Sequence, residues 1–373
     1  MKNILFLSHT INKYNAVKLE GIYAAAKTHG WIVNEAEFGW TAWDLADIVS
    51  TLKPDGVILE GGRLTGKIDL KPFDNIPTVY LDTDFPASRG KAAVCSDAEA
   101  IADLAADELL ASKPAESAFF SLMPHKAWSK RRAKRFRERM RKDGVPFHVV
   151  RRVEDIAQLK KPFAVFAVND ISAATFLRYA AECGLFCPMD FTLVSVDNET
   201  LFCENASPKV SSIEQDFAGA GFAAGETLDR LFKKGKQKTI LVPPRRLVRR
   251  ASSVRPVDSM TMAQRIAAFI DAYALEATSI DGIASALGCS RRTVESRYRA
   301  AYGQSVGAAI LARRFAEVER LLANPRQTLA AIANMCGWKS SAHLMRSFKS
   351  RYGMTMTEWR ALSTSGGTSR QKR

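Results

Sequence analysis

Short runs of apolar and β-branched residues recur through the first 255 positions, at 4–7, 56–59, 78–81, 118–120, 147–150, 163–167, 191–196 and 240–242. Longer segments with helical spacing of apolar residues separate them, at 16–27, 98–110, 172–182 and 217–232. Runs this short predict buried strands, and the intervening segments predict helices. Strand and helix in alternation predict parallel sheets covered by helices on both faces. Some 255 residues is a large number for one sheet, so the pattern predicts two α/β subdomains with a cleft between them. In such sheets a ligand sits beyond the carboxyl ends of the strands.

The residues just past those strands are polar. Asp82 follows 78–81, Cys95-Ser96-Asp97 follows residues 92–94, Asn169-Asp170 follows 163–168, and Asp197-Asn198 follows 191–196. Carboxylates and amides suit the vicinal hydroxyls of a polyol or sugar. Each could equally cap the next helix, because Asn, Asp and Ser are favoured there.

From residue 258 the strand pattern stops. Residues 262–273 place Ile266, Phe269, Ile270 and Tyr273 on one helical stripe. An internal repeat follows. Ile283-Ala284-Ser285-Ala286-Leu287-Gly288 returns 49 residues later as Ile332-Ala333-Asn334-Met335-Cys336-Gly337. Tyr298-Arg299 and Tyr302-Gly303 return 50 residues later as Phe348-Lys349 and Tyr352-Gly353. Each copy reads as helix, glycine turn, helix, which is the helix-turn-helix pattern. Gly288 and Gly337 suit a left-handed helix stop, and Ser290 and Ser340 suit the N-caps of the second helices. Those helices, 291–301 and 341–351, keep Val294/Tyr298 and Leu344/Phe348 as buried pairs. Their other faces carry Arg291, Arg292, Arg299, His343, Arg346 and Lys349.

Charge sharpens this division. The chain carries +15, and residues 258–373 hold 17 basic against 8 acidic residues. A second surplus, 12 basic against 2 acidic, lies in residues 126–152. A basic C-terminal part points to nucleic acid. Most of the 126–142 helix is expected to be a solvated face, with Trp128 and Arg132 able to turn to the cleft.

Several chemistries find little support. The six cysteines form no CxxC pair, and the five histidines are scattered, so neither a zinc site nor a redox motif is expected. No GxGxxG, Walker A or GxSxG sequence follows a strand, so no cofactor is expected and an enzyme is disfavoured. The one alternative in that direction is Cys95 as a nucleophile. Residues 4–7 are too short for a signal segment, and no apolar run could span a membrane, so the cytoplasm is the expected location.

The N-terminal part resembles the periplasmic-binding-protein-like sensor of LacI/GalR-type regulators. The resemblance rests on Leu19-Glu20-Gly21-Ile22, Pro54-Asp55-Gly56-Val57-Ile58-Leu59, Val168-Asn169-Asp170, Leu193-Val194-Ser195-Val196-Asp197-Asn198 and the closing residues 246–253. In that family an Arg on the helix after the sixth strand reaches the sugar. Arg132-Ala133-Lys134-Arg135-Phe136 matches its frame, with Arg135 in place of the usual Gly. The effector candidates are Tyr14, Asp97, Trp128, Arg132, Asn169 and Asp197, with Asp197 foremost.

The duplicated C-terminal motif resembles the AraC/XylS-type DNA-binding domain. That resemblance places 316–322 in a long linker helix. Thr355 and Glu358 would form a capping box on the closing helix, with Met356 where Pro is usual. It implies that Arg292 and Arg346 read bases in the major groove of double-stranded promoter DNA, beside Glu295, Ser296, Ser341 and His343. Arg299 and Lys349 would touch phosphates.

Together the two halves resemble bacterial xylose-type regulators, which implies a small sugar effector, activation of transcription, a homodimer and contact with RNA polymerase. Asn169 and His9 depart from the cleft of that family, which leaves the sugar open. A regulator without a sugar effector is the alternative. The expected domains are a sensor at 1–255, a reader at 258–362 and a disordered tail at 363–373.

Overall fold

The computed structural model describes residues 1–8, 13–37, 45–60, 70–82, 91–254, 260–276, 278–324 and 326–364. The expected boundary at 255–258 and the cleft candidate His9 lie outside the described residues. Two six-stranded sheets form the first two thirds of the chain.

The first sheet has β1 (Asn3–Ser8), β2 (Ile32–Glu37), β3 (Gly56–Glu60), β4 (Thr78–Leu81), β5 (Ala93–Ser96) and β11 (Thr239–Val242), in the order β11-β5-β4-β3-β1-β2. All its pairings are parallel. Helices α1 (Lys13–His29) and α8 (Phe217–Phe232) cover one face, over Ile4, Phe6, Ile58 and Val79. Helix α2 (Leu45–Leu52) covers the other, over Leu5, Val57 and Tyr80. Burial on both faces explains why β1, β3 and β4 are near-continuous apolar runs.

The second sheet comprises β6 (Glu116–Phe120), β7 (Phe147–Val150), β8 (Phe163–Ala167), β9 (Phe191–Val196), β10 (Ser211–Glu214) and β12 (Arg246–Val248), in the order β12-β10-β9-β8-β6-β7. It is parallel except that β12 runs antiparallel to β10 at the edge. Helices α3 (Ala98–Leu110) and α4 (Ala127–Lys142) pack on Phe119, Phe166 and Val194. Helix α6 (Asp170–Glu182) packs on the opposite face with Phe120, Val165 and Leu193. Short helices α5 (Val153–Ala157) and α7 (Thr200–Cys203) complete this unit. The chain passes between the two units after β5, after β10 and after β11. Asp97 N–H donates to Val242 O (2.8 Å) and Arg245 N–H to Glu214 O (2.8 Å) at these passages.

Two strands escaped the hydrophobic pattern for physical reasons. Strand β2 is an edge strand whose sequence, IVNEAE, is half polar. In β10, Ser211 and Ser212 are fully buried but hydrogen-bonded, to Ser252 and Asp170 among others. A satisfied buried hydroxyl leaves no apolar signature.

Among the described residues that remain there are seven α-helices: α9 (Met262–Tyr273), α10 (Ile280–Ala286), α11 (Arg291–Tyr302), α12 (Val306–Leu322), α13 (Leu329–Met335), α14 (Ser341–Tyr352) and α15 (Met356–Thr364). Helix α15 runs two residues past the expected boundary at 362. The long α12 joins two helix-turn-helix units, α10–α11 and α13–α14. Gly288 and Gly337 hold φ of 61° and 72° in the turns. Ser290 and Ser340 cap α11 and α14 through Thr293 N–H and His343 N–H. Thr355 and Glu358 form the expected capping box on α15. Each unit has its own core, one around Ile266, Ile283, Val294 and Tyr298, the other around Phe315, Ile332, Leu344 and Phe348.

Candidate effector cleft and nucleic-acid interface

The carboxyl ends of the strands in both sheets bring a dense set of charged side chains together. From the second sheet come Arg132 on α4 and Asp197 at the end of β9. Arg132 is 3% exposed, donates through Nη1 to Val168 O (2.7 Å) and lies 4.9 Å from the Trp128 ring centroid. Its Nε is buried with no partner among the described residues. Burial lowers its pKa to about 10, against the opposing pull of Asp197 and Asp82. Asp197 holds a φ of 106° and accepts from Gln215 Nε2 (2.6 Å). Burial and the nearby Asp170 raise its carboxyl to about 7, although Arg132 pulls it down.

From the first sheet come Lys18 on α1, Glu60 at the end of β3 and Asp82 after β4. Lys18 is 4% exposed and pairs with Asp82 (2.7 Å) and Glu60 (3.3 Å). Burial opposes its charge, but the two carboxylates hold its pKa above the usual lysine value. Burial likewise opposes the charge on Asp82, yet Lys18 holds its carboxyl below the usual range. Tyr14 crosses between the units and donates to Glu199 Oε2 (2.6 Å), with its ring 5.0 Å from that of Phe217. Burial and Asp197 push its phenol up.

In the C-terminal part, Arg292, Ser296 and Arg299 are exposed on α11, and His343, Arg346 and Lys349 on α14. Ser341 is half-buried at the start of α14. Arg292, Ser296 and Arg299 are spaced four and three apart, so they share one helix face.

The sequence of residues 93–253 matches the periplasmic binding protein-like domain, and residues 283–362 match a helix-turn-helix domain. The chain joins these two domains. The xylose operon regulatory protein of Haemophilus influenzae is 24% identical over 383 residues, covering 96% of this chain and 97% of that protein. Its counterpart in Escherichia coli K12 is 27% identical over 221 residues, 58% of this chain and 56% of that protein. Against that relative, the aligned stretch spans little more than half its length. The solved structure of the xylose-binding transcription activator xylR aligns with a TM-score of 0.63 at 22% identity, over 97% of this chain and 98% of that one. The alignments to the Haemophilus influenzae protein and to xylR run along nearly the whole chain, across both matched domains.

At the cleft, the structure brings together Tyr14, Trp128, Arg132 and Asp197 of the six effector candidates. Asp97 caps α3, its Oδ1 accepting from Glu99 N–H (3.1 Å) and Ala100 N–H (3.0 Å). Asn169 caps α6, its Oδ1 accepting from Ser172 N–H (3.0 Å) and Oγ (2.6 Å). Sequence reasoning missed Lys18, Glu60, Glu199 and Gln215. Lys18 and Glu60 carry one usable signal, since an ionisable residue inside an apolar helix stripe or at a strand end needs a partner. Asp170 is a structural hub, accepting from Ser195, Ser212 Oγ (2.6 Å) and Glu199 N–H (2.6 Å).

The basic helix α4 divides as its burial dictates. Arg135 donates twice to Asp103 (2.9 Å each), and Arg139 donates to Asp103 (3.0 Å) and Asp107 (2.5 Å), both on α3. Lys130, Arg131, Arg137, Arg141 and Lys142 are exposed. In the helix-turn-helix domain, two candidates are turned to local partners. Arg291 pairs with Asp281 (2.9 Å), and half-buried Glu295 accepts from Val306 N–H (3.5 Å) at the start of α12. His343 rests edge-on against Trp338. Among the described residues no group of three or more His, Cys, Asp or Glu could hold a metal, and no helix is long and apolar enough to cross a membrane.

Proposed function

We propose that this chain is a sequence-specific DNA-binding transcription regulator, an activator, whose N-terminal cleft binds a small neutral sugar, a pentose such as xylose. The observation that carries the sugar is the buried guanidinium of Arg132 set near the half-buried carboxylate of Asp197. The guanidinium Nε and Gln215 Oε1 are both buried without partners among the described residues. An unmade buried hydrogen bond is costly, and vicinal hydroxyls can donate to the Asp197 carboxylate and accept from Arg132. The surrounding Asp82, Glu60 and Glu199 disfavour a phosphate or carboxylate ligand, which favours a neutral polyol.

On this reading the sensor is residues 1–255 and the reader 258–362. Arg292 and Arg346 read bases, the protein acts in the cytoplasm as a homodimer, and it works with RNA polymerase at promoter DNA. The test is isothermal titration of the full chain with D-xylose and a panel of other pentoses and hexoses, alongside selection of a duplex from a random pool. Binding of one pentose with clear preference supports the sugar. A selected duplex with no sugar heat would leave a regulator without a sugar effector.

A further inference from the structure

Arg250 lies just before the junction of the two domains and is largely buried. Its guanidinium holds three separate pieces of the sensor. Nη2 donates to Asn198 Oδ1 (2.9 Å), Nη1 to Val210 O (2.9 Å) and Nε to Glu204 Oε1 (2.6 Å). Asn198 follows Asp197, and both have positive φ, 106° and 50°. A turn in that region persists only where its surroundings hold it.

At the other end, Glu204 caps the C-terminus of α7 and begins the segment that touches the helix-turn-helix domain. Ser207 Oγ donates to Ala272 O on α9. Glu204 and Arg250 also line a cavity of about 1100 Å³ with Asp271, Arg313, Glu317 and Arg320 on α9 and α12. One stiff guanidinium therefore spans from the turn bearing Asp197 to the loop gripping the reader.

We propose that Arg250 is the positioning residue through which occupancy of the cleft reaches the helix-turn-helix domain. This rests on the sensing role argued above. A ligand that grips Asp197 moves the 197–198 turn, and the planar fork transmits the movement to 204–207 and so to α9. A lysine keeps the charge but cannot hold three acceptors in a fixed plane. Coupling of this kind is a ratio of affinities, distinct from either affinity alone.

The test compares the full-length wild type with Arg250→Lys, Arg250→Gln and Glu204→Gln, the last at a more exposed partner that is safer for folding. The dissociation constant for a selected duplex is measured with and without saturating D-xylose, and sugar affinity by calorimetry. In the wild type, D-xylose should shift DNA affinity by about 5- to 150-fold, and in all three variants by less than about twofold, with sugar affinity kept within about threefold. A merely structural role weakens DNA binding equally in both states and leaves the wild-type ratio, which overturns the proposal. If the wild type prefers another sugar of the panel, that sugar replaces D-xylose; if it binds none, the sugar reading fails, and the relay is judged through Asp197→Asn. That change should alter amide exchange across 204–210 in the wild-type background and not beside Arg250→Lys. No change in the first background, or the same change in both, overturns it.

Discussion

At the scale of single residues, Asp197 concentrates the chemistry. Asp197→Ala should weaken sugar binding by about 1.5–3 kcal/mol, the worth of hydrogen bonds to a charged group, as read by calorimetry. Its titration gives a second expectation. The folded carboxyl titrates at about 7, against 3.8 ordinarily. The folded chain thus keeps this proton longer than the unfolded one. Its contribution to stability is full below the unfolded value and is lost as pH rises to about 7. Hydroxyls donating to the carboxylate favour its charged form, so sugar binding should release a proton and tighten as pH rises through 7. Calorimetry in buffers of different ionisation enthalpy would detect that proton, and its absence would remove Asp197 from direct contact. On the reader, Arg292→Ala and Arg346→Ala should each cost about 1–3 kcal/mol and relax preference at one base pair. Uniform weakening across operator variants would mark phosphate contacts instead. Strand-end reasoning named Asp197 and Asp97 alike, because both carboxylates follow a strand. At Asp97, free backbone N–H groups at a helix start take the same oxygen, so the strand-end position alone does not separate cap from ligand.

At the scale of elements, the crossing of α1 and α8 was invisible in the sequence. A Cβ on Gly221 would sit 1.8 Å from Lys18 O, and one on Gly21 would sit 2.0 Å from Ala218 O. Both glycines exist for backbone approach, and helical periodicity reports nothing about it. Gly221→Ala should therefore force the helices apart, costing about 1–3 kcal/mol in a thermal or urea melt. It should weaken sugar binding too, because Lys18 rides on α1 between Glu60 and Asp82. Gly307 in α12 has nothing within 4 Å of its Cβ position. Gly307→Ala should leave stability unchanged or raise it by up to about 1 kcal/mol. Equal melts for the two variants would contradict this account. The elements best predicted, such as β8, β9, α3, α8 and α9, are those with dense apolar spacing. Strand β10 was lost to its serines, and β2 to its edge position.

At the scale of the whole molecule, the two-part design was legible because the repeat and the charge surplus fall on the same residues. The joint between the parts was not legible. Phe186 and Met189 of the sensor pack into the reader core, with the Phe186 ring 5.2 Å from Phe269, and the Tyr273 hydroxyl donates to Cys187 O. The reader expected to stand alone thus shares its first core. A fragment of residues 258–373 should still bind duplex DNA, with affinity falling on the order of tenfold or more between 50 and 200 mM salt. It should melt below the full chain because Phe269 and Tyr273 lose their cover. A fragment as stable as the reader within the full chain would show that this packing is incidental.

The two reading helices are copies, yet their arginines do not coincide. With the 50-residue offset, Arg292 aligns with Ala342 and Arg346 with Ser296. One arginine sits in the first turn of its helix and the other a turn later. A protomer that reads DNA with both cannot be turned end for end on its site. On the proposed reading by Arg292 and Arg346 each binding site has a polarity, and inverting a selected site within a longer duplex should turn the bound protomer around with every base retained.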